Sequence, residues 1–177
     1  MDAITVAGGL SIRAAVETDI DAVCGLLKDC ITGMRDAGID QWDDVYPAEA
    51  TIRSDVAQQT MSVAFIEGTI AAAIVLNEHQ DREYSQVPWT IDGVRIGVVH
   101  RLMVHPRYQG YGIARELMRM AEDRALTLGY GAIRLDAFSA NPRALRLYQG
   151  LGYRDAGSVT FRKGEFRCLE KRLAPPD

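Results

Sequence analysis

The chain has 177 residues, of which 47% are hydrophobic and 25% are charged, so a disordered chain is not expected. This length fits one domain or two very small ones, and we predict one globular domain over residues 1–177. The longest apolar run, 70–76, is too short to span a bilayer, and neither terminal segment shows a secretory signal or a lipidation box. We therefore expect a cytoplasmic protein without a membrane partner. The three cysteines have no metal-ligand spacing, so no metal is expected.

Charge is unevenly distributed along the chain, although the net charge is only −4. Residues 1–100 hold 6 Lys and Arg against 16 Asp and Glu, a net charge of −10, whereas residues 101–177 hold 14 against 8, a net charge of +6. The basic half suits an anionic ligand, and the acidic half suits a cationic ligand or simply solubility. No Lys/Arg run is interleaved with aromatic residues, so nucleic acid is not expected as the main partner.

The first half of the chain predicts a strand, two helices and a hairpin. Thr18 can cap the first helix and Gly38 can end it, while Pro47 is placed to open the second helix. Gly68 joins the two hairpin strands through a short link. The predicted elements are a strand at 10–16, helices at 18–38 and 46–59, and strands at 62–67 and 69–77.

The second half predicts an exposed loop followed by alternating strands and helices. The segment 78–93 is polar and contains a proline, which is typical of a loop. Apolar residues recur at helical spacing from Ala114 to Leu128 and predict an amphipathic helix that ends at Gly129. The remaining predicted elements are a strand at 94–104, the helix at 112–128, a strand at 131–138, a short helix from Asn141-Pro142 to about Leu151, and a hairpin at 153–161 and 165–173.

The predicted order is β-α-α-β-β-β-α-β-α-β-β, which places the chain in the α/β (α+β) class. Hairpins and helical crossovers alternate, so the sheet should be mixed. The strand at 94–104, the helix at 112–128 and the strand at 131–138 should form a right-handed parallel crossover.

A glycine-containing turn precedes the helix at 112–128, with Gly110 and Gly112 placed close together. The N-terminus of a helix offers unpaired N–H groups and a partial positive charge, which together bind phosphate. A dinucleotide site is one alternative, but Arg115 occupies its third glycine position, and residues 105–109 separate the strand from the first glycine. An ordinary loop without a ligand is the other alternative.

Two sequence blocks resemble motifs of the GCN5-related N-acetyltransferase (GNAT) superfamily, which binds acetyl-CoA. The segment "QGYGIA" (109–114) matches Gln/Arg-x-x-Gly-x-Gly/Ala, and "NPRALRLYQGLGY" (141–153) resembles Asn-x-x-Ala-x-x-x-Tyr-x-x-x-Gly-Phe/Tyr. The resemblance implies a mixed, mostly antiparallel sheet of six to seven strands flanked by about four helices, in a small bacterial single-domain member.

The resemblance also implies a site for acetyl-CoA (coenzyme A). The backbone of the turn at 109–115 would hold the pyrophosphate, and the preceding strand, which carries a bulge in many members, would pair with the pantetheine arm where it separates from the strand at 131–138. Asn141 would contact the pantetheine region in addition to capping its helix. The implied cofactor-binding residues are Leu102, Met103, Val104, Gln109, Gly110, Tyr111, Gly112, Ile113, Ala114, Arg115, Asn141, Ala144 and Tyr148.

For catalysis, Tyr148 matches the tyrosine that serves many members as general acid toward the CoA sulfur; the alternative is a buried tyrosine that packs its helix. His100 shares side-chain parity with Leu102 and Val104, and histidine titrates in the range that a base requires. Alternatives for the base are Glu67, Asp136 and bulk water. The oxyanion donor would be a backbone N–H near Met103 or Val104.

The acceptor side would be formed largely by the first half of the chain. Trp42, Tyr46, Glu67, Trp89 and Asp136 are the candidate substrate-binding residues, and packing of Trp42 beneath its loop is an equally supported alternative. The resemblance therefore implies transfer of an acetyl group from acetyl-CoA to a primary amine of a small molecule or peptide, by direct attack in a ternary complex. The alternative is a CoA-binding regulatory module without turnover. Because dimers are common in the superfamily, a homodimer is also considered.

Overall fold

The computed structural model describes residues 4–6 and 9–174, so the terminal segments behind the localisation prediction lie partly outside the described residues. The described elements follow the predicted order, with one additional strand at the start. No helix among them has the length and apolar character needed to cross a membrane. The elements are β1 (Ile4–Val6), β2 (Leu10–Ala14), α1 (Ile20–Asp36), α2 (Glu49–Ala57), β3 (Met61–Ile66), β4 (Thr69–Asn77), β5 (Ile96–Val104), α3 (Ile113–Thr127), β6 (Ala132–Phe138), α4 (Pro142–Gly150), β7 (Arg154–Phe161) and β8 (Gly164–Arg172).

The chain forms two compact units. The first comprises Met1–Val75 with Arg101–Leu117, and the second comprises Leu76–His100 with Met118–Asp177. Three elements, β4, β5 and α3, each contribute residues to both units. A single domain over 1–177 stays a prediction.

In the first unit, β1, β2, β3 and β4 are neighbours in that order and are antiparallel. The β3–β4 hairpin closes through Glu67 and Gly68, whose φ values of 49° and 76° suit a tight two-residue turn that follows the twist of the strands. Val23 of α1, Ile52 of α2 and Val63 of β3 are fully buried in one apolar cluster. Burial of the apolar faces of both helices against these strands holds this unit together.

Capping of α1 differs from the prediction. A short 3-10 turn, Glu17–Asp19, precedes the helix, so Thr18 lies inside this turn and is not the cap. The carboxylate of Asp19 instead accepts a hydrogen bond from the Val16 N–H at 2.8 Å and forms an ion pair with Arg13 at 2.6 Å. The prediction for Thr18 is wrong because the 3-10 turn moves the start of the helix to Ile20, and Asp19, the residue before it, makes no side-chain hydrogen bond to the first turn of the helix.

The predicted helix ends are correct, but the start of α2 is not. Gly38 and Gly129 adopt left-handed backbone conformations, with φ of 73° and 81°, directly after α1 and α3. Glycine pays no Cβ penalty in this conformation, and it allows the next N–H groups to bond back to the helix. Pro47 lies two residues before α2, since Ala48 is the residue that precedes its first turn, so the assignment of Pro47 to that turn is wrong.

In the second unit, β5 and β6 are parallel, whereas β6 with β8 and β8 with β7 are antiparallel. The neighbour order is therefore β5-β6-β8-β7. The mixed, mostly antiparallel sheet and the four α-helices are confirmed. The described residues contain eight strands, one more than predicted at most, because β1 precedes the strand that the sequence suggests as the first.

The segment 78–93 is not simply an exposed loop. It contains a 3-10 helix, Arg82–Gln86, and the side chains of Tyr84 and Val87 are only 2% and 7% exposed. Both belong to the apolar cluster of the second unit, together with Val98 of β5 and Phe166 of β8. The expectation of an exposed loop is wrong at these two positions, because two apolar contacts suffice to hold an otherwise polar segment against the sheet.

Candidate functional site

The glycine turn lies between β5 and α3 in the first unit. Gly110 and Gly112 have φ values of 90° and 82°, which only glycine adopts at little cost. A Cβ atom added at Gly112 would meet nothing within 4 Å, so the space beside the turn is open. Tyr111, between the two glycines, is 80% exposed. The turn thus presents its backbone to solvent.

The backbone at the head of α3 can hold an anion. The carbonyl of Gly112 accepts hydrogen bonds from the N–H groups of Arg115 at 3.0 Å and Glu116 at 3.1 Å. The N–H groups of Ile113 and Ala114 therefore precede the first hydrogen bond of the helix and are available to a ligand. The partial positive charge of a helix N-terminus adds to this, and phosphate is a group that such a position binds.

Several contacts within the first unit fix the approach to the turn. The Gln109 side chain donates to the Val104 carbonyl at 2.9 Å, and the Cys30 thiol lies 3.4 Å from the same oxygen. Pro106 packs closely on α1, since a Cβ atom at Gly33 would lie 2.7 Å from its Cγ. Gln109 therefore orders the turn through its side chain, and Gly33 is a position where the close packing requires glycine.

A left-handed residue interrupts β5, and the bulge that the resemblance implies for this strand stays a prediction. Arg101 has a φ of 48°, and its guanidinium donates two hydrogen bonds to the Asp55 carboxylate of α2, at 2.7 and 2.6 Å. Both side chains are only 8% exposed. A third hydrogen bond, 2.8 Å long, joins Arg101 to the Tyr46 hydroxyl. Residues two apart in a regular strand lie on the same face, and we assumed this for His100 and Leu102. The left-handed Arg101 between them breaks this alternation, so the assumption no longer holds.

Beyond this point, Met103 is buried at 1% exposure, whereas Leu102 and Val104 are half-buried. The predicted cofactor strand thus directs one side chain into the core of the first unit. Its backbone N–H and C=O groups, rather than its side chains, are the groups that a ligand would use, as the resemblance implies.

In the second unit, the parallel ladder between β5 and β6 is short. It covers three residue pairs, from Ile96–Ala132 to Val98–Arg134, whereas β6 pairs with β8 from Ala132 to Phe138. Separation of these strands beyond Val98, which the resemblance implies, stays a prediction.

Tyr148 and Asp136 lie near each other in the second unit. Tyr148 of α4 is 7% exposed, and its ring lies edge-on to the Tyr153 ring with centroids 6.0 Å apart. Burial, followed by the negative charge of Asp136, raises the pKa of Tyr148, so the phenol is protonated at neutral pH. Among the described residues, none forms a hydrogen bond with its hydroxyl.

Asp136 is a half-buried carboxylate on β6. Its Oδ2 accepts a hydrogen bond from the Tyr84 hydroxyl at 2.7 Å, and no described residue bonds to Oδ1. Burial raises the pKa of Asp136 to about 6, although the hydrogen bond from Tyr84 acts in the opposite direction. Asp136 is therefore a carboxyl group that changes charge close to neutral pH.

Asn141 has the capping role that the sequence suggests. Its Oδ1 accepts a hydrogen bond from the Ala144 N–H at 3.2 Å at the start of α4, with Pro142 in the first turn. Capping uses one lone pair of the amide oxygen, so a second contact with a ligand stays compatible with it.

His100 is held on one side by two oxygen atoms. Its Nε2 lies 3.1 Å from the Asn77 side-chain oxygen and 3.0 Å from the His79 carbonyl. Two acceptors at one ring nitrogen require that this nitrogen carries the proton. Nε2 is therefore a donor here, and only Nδ1 could take up a proton.

The candidate acceptor residues have diverse surroundings. Trp42 is 8% exposed in the apolar cluster of the first unit, which favours the packing interpretation. Tyr46 is 43% exposed, and Glu67 is exposed at the tip of the β3–β4 hairpin. Trp89 belongs to the second unit, where its indole N–H donates to the Tyr84 carbonyl at 2.9 Å and the Arg134 guanidinium lies 4.4 Å from its ring.

Three contacts among the described residues, one in the first unit and two in the second, could not be found from the sequence pattern. The Arg101–Asp55 ion pair joins residues far apart in the chain, and the Tyr84–Asp136 hydrogen bond starts from a segment that reads as a loop. The third is Glu170, 2% exposed, which accepts hydrogen bonds from the N–H and hydroxyl of Thr90 at 2.7 and 2.6 Å. In the sequence, the one sign that the segment 78–93 packs against the sheet was the presence of Tyr84 and Val87, three residues apart, among polar residues.

The order of the elements and the glycine turn before α3 are those that the resemblance to the GNAT superfamily implies. The chain belongs to the acetyltransferase (GNAT) family, whose model matches residues 26–153. These residues come from both units.

Similarity to individual proteins extends over most of the chain. It is 26% identical over 161 residues to the uncharacterized N-acetyltransferase YesJ of Bacillus subtilis, covering 87% of each protein. A crystal structure of a GNAT-family acetyltransferase from Streptococcus agalactiae 2603 matches with a TM-score of 0.83 at 22% identity, covering 95% of this chain and 98% of that chain. The structure of YncA from Salmonella typhimurium with its cofactor acetyl-CoA matches with a TM-score of 0.70 at 19% identity, covering 96% and 99%. These likenesses to solved structures show the shared fold.

Proposed function

We propose that this protein transfers an acetyl group from acetyl-CoA to a primary amine of a small molecule or a peptide, by direct attack in a ternary complex. The observation that carries the proposal is the glycine turn of a GNAT-family chain, with two left-handed glycines before α3 and free N–H groups at Ile113 and Ala114. Acetyl-CoA would supply a thioester carbon that an amine can attack.

The residues present fit this cofactor. The N–H groups of Ile113 and Ala114 would bind the pyrophosphate, and the open space beside Gly112 leaves room for it. The backbone of Leu102, Met103 and Val104 would hold the pantetheine arm and place an N–H toward the thioester oxygen. The full proposed set also includes Gln109, Gly110, Tyr111, Arg115, Asn141, Ala144 and Tyr148.

Tyr148 would hold the proton that the departing sulfur receives. A phenol is already protonated at neutral pH, and burial together with the charge of Asp136 raises the pKa of Tyr148 further. No described residue competes for this hydrogen, so the hydroxyl can donate it to a ligand.

For the base, the contacts favour Asp136 over His100. The Nε2 of His100 is a donor to Asn77 and His79, whereas Asp136 lies close enough to Tyr148 for its charge to raise the pKa of that phenol. The Oδ1 of Asp136 has no hydrogen bond within the described part of the chain, while Oδ2 is held by Tyr84. A carboxylate anchored through one oxygen and open at the other suits acceptance of the proton that an attacking amine loses.

The test is an assay of thiol release from acetyl-CoA in the presence of a panel of L-amino acids, polyamines and short peptides. We expect release to depend on at least one amine and an acetylated product to appear in equal amount. Binding of CoA without thiol release across the panel would overturn the proposal and favour a regulatory module without turnover.

A further inference from the structure

Tyr84 links the segment 78–93 to the carboxylate of Asp136. Its ring is 2% exposed, and its hydroxyl lies 2.7 Å from Asp136 Oδ2. A hydrogen bond to an ionised carboxylate is about twice as strong as one between neutral groups. The hydroxyl therefore holds the carboxyl group in one orientation and stabilises its charged form.

Tyr84 is itself fixed from several directions. Its carbonyl accepts the indole N–H of Trp89 at 2.9 Å, and the two rings lie 5.1 Å apart. Val87, 7% exposed, packs in the same cluster. The backbone of Thr90 is bonded to the buried carboxylate of Glu170 on β8. The hydroxyl of Tyr84 is therefore held in place by the packing of a whole segment.

We propose that Tyr84 is a positioning residue of the transfer reaction, which holds Asp136 so that its free oxygen Oδ1 takes the proton of the attacking amine. This inference rests on the proposed function. In this step the amine nitrogen forms the C–N bond to the thioester carbon, its N–H bond breaks, and an O–H bond forms at Oδ1. The C–S bond of the thioester then breaks, and the proton of the Tyr148 hydroxyl passes to the CoA sulfur.

The groups that face Asp136 come from three elements. Tyr84 and Asp81 belong to the segment 78–93, Cys168 lies opposite Asp136 on β8, and Tyr148 belongs to α4. Tyr84 is the group that stabilises the charged form of Asp136, whereas Asp81 opposes it. Tyr148 and Cys168 are neutral near pH 7, because burial raises the pKa of both.

The experiment is the substitution Tyr84→Phe, which removes one hydroxyl and keeps the ring. Without the hydrogen bond, the pKa of Asp136 rises, so the acidic limb of the kcat profile should move upward by about one pH unit. At pH 6 this lowers kcat about fivefold, whereas at pH 9 kcat should change less than about twofold. Titration of the Asp136 carboxyl carbon by NMR should show the same shift without depending on turnover.

The matched control is Tyr130→Phe. Tyr130 also donates to a carboxylate in the second unit, Glu78, at 3.0 Å, and the charged groups that act on its hydroxyl are Glu78, Arg95 and Arg124 rather than Asp136. Its removal should leave the acidic limb unchanged. A second variant, Asp81→Asn, removes a negative charge that disfavours ionisation of Asp136. It should move the acidic limb downward by a few tenths of a pH unit. This variant replaces the first test if Tyr84→Phe does not fold.

The inference is overturned if the limb stays in place while the NMR titration of Asp136 shifts, or if Tyr130→Phe moves the limb equally. Failure of the proposed function is a different result, because wild-type protein would then release no thiol with any amine, while the NMR titration could still be measured. The inference is supported if the acidic limb moves upward in Tyr84→Phe and downward in Asp81→Asn.

Discussion

At the residue scale, Asp136 shows how burial in the fold changes the pKa of a side chain. An ordinary aspartate has a pKa of 3.8, and burial raises that of Asp136 to about 6. The ionised form is therefore less favourable in the folded than in the unfolded chain, and the unfolded chain releases its proton first. Stability should fall as pH rises from about 3.8 to about 6 and stay reduced above that interval.

This yields a prediction for Asp136→Asn, which removes the charge and keeps the shape. At pH 8 the variant should have a free energy of unfolding higher by about 1–3 kcal/mol, since the buried charge is gone. Near pH 4 the two proteins should differ little, because Asp136 is already protonated in the folded state. Urea denaturation at both pH values measures this, and an equal change at both would contradict the assignment.

A second prediction at this scale concerns Tyr148→Phe. Loss of the proton donor should lower kcat by about 10²-fold and leave the Kd for CoA within a few-fold, because the hydroxyl acts in the chemical step. Steady-state kinetics and calorimetric titration with CoA measure the two quantities. Tyr153→Phe, which removes a hydroxyl from the neighbouring ring, is the control, and an unchanged kcat in Tyr148→Phe would make Tyr148 a packing residue.

At the scale of elements, β5 and the turn after it depend on contacts from α1 and α2 within the first unit. The Arg101–Asp55 pair holds the strand where its backbone is left-handed, and Gly33 lets Pro106 approach α1. A non-glycine residue at positive φ costs free energy, and surrounding contacts must maintain it. The position of the glycine turn is thus supported by helices that precede it in the chain.

The buried ion pair leads to a prediction for Asp55→Ala. The guanidinium of Arg101 would stay buried without its partner, which should lower the free energy of unfolding by about 3–5 kcal/mol. The control is Glu49→Ala on the same helix, because Glu49 pairs with Arg53 at 2.7 Å with both side chains exposed, and loss of this pair, which solvent screens, should change the free energy of unfolding far less. Similar losses in the two variants would show that burial of the pair is unimportant.

The glycine turn leads to a prediction for Gly112→Glu. A carboxylate side chain at this left-handed position would occupy the open space beside the free N–H groups and repel phosphate, so CoA binding should be lost, with Kd raised more than about 10²-fold. Calorimetric titration measures it. Gly93→Glu carries the same backbone strain, since Gly93 has a φ of 65° and open space around it, and this control should bind CoA normally. Unchanged affinity in Gly112→Glu would refute the pyrophosphate assignment.

At the scale of the whole molecule, charge is arranged along the chain rather than concentrated in one run. The net charge of −4 conceals a basic second half, with +6 over residues 101–177. An anionic cofactor would profit from such a distribution, and interactions with exposed charges weaken as salt screens them.

This distribution predicts that CoA binding depends on salt. Raising NaCl from about 50 mM to about 0.5 M should increase the Kd for CoA several-fold, because screening shortens the reach of the basic residues. Pantetheine, which lacks the phosphates, serves as the control ligand, and its weaker binding should respond little. A salt-independent Kd for CoA would show that the backbone N–H groups act without help from the charged side chains.

Much of the fold follows from local patterns, as particular elements show. The apolar periodicity of α3 and the glycine after it define that helix within one residue at each end, because both signals act over a few residues. Local patterns failed at Thr18, because a 3-10 turn precedes α1 and makes Asp19, whose carboxylate pairs with Arg13, the residue before the helix. They also failed at Tyr84, whose burial depends on strands far along the chain.

The sequence by itself determined the order of elements, the glycine turn and the two motifs that relate the chain to the GNAT family, since each of these depends on neighbouring residues. Only the tertiary structure decided which side chains act together. It placed Trp42 in a core, engaged His100 Nε2 with two oxygens, and set Tyr84 beside Asp136. The physical reason is that burial and hydrogen-bond partners, which set the pKa and orientation of a side chain, come from segments distant in the chain.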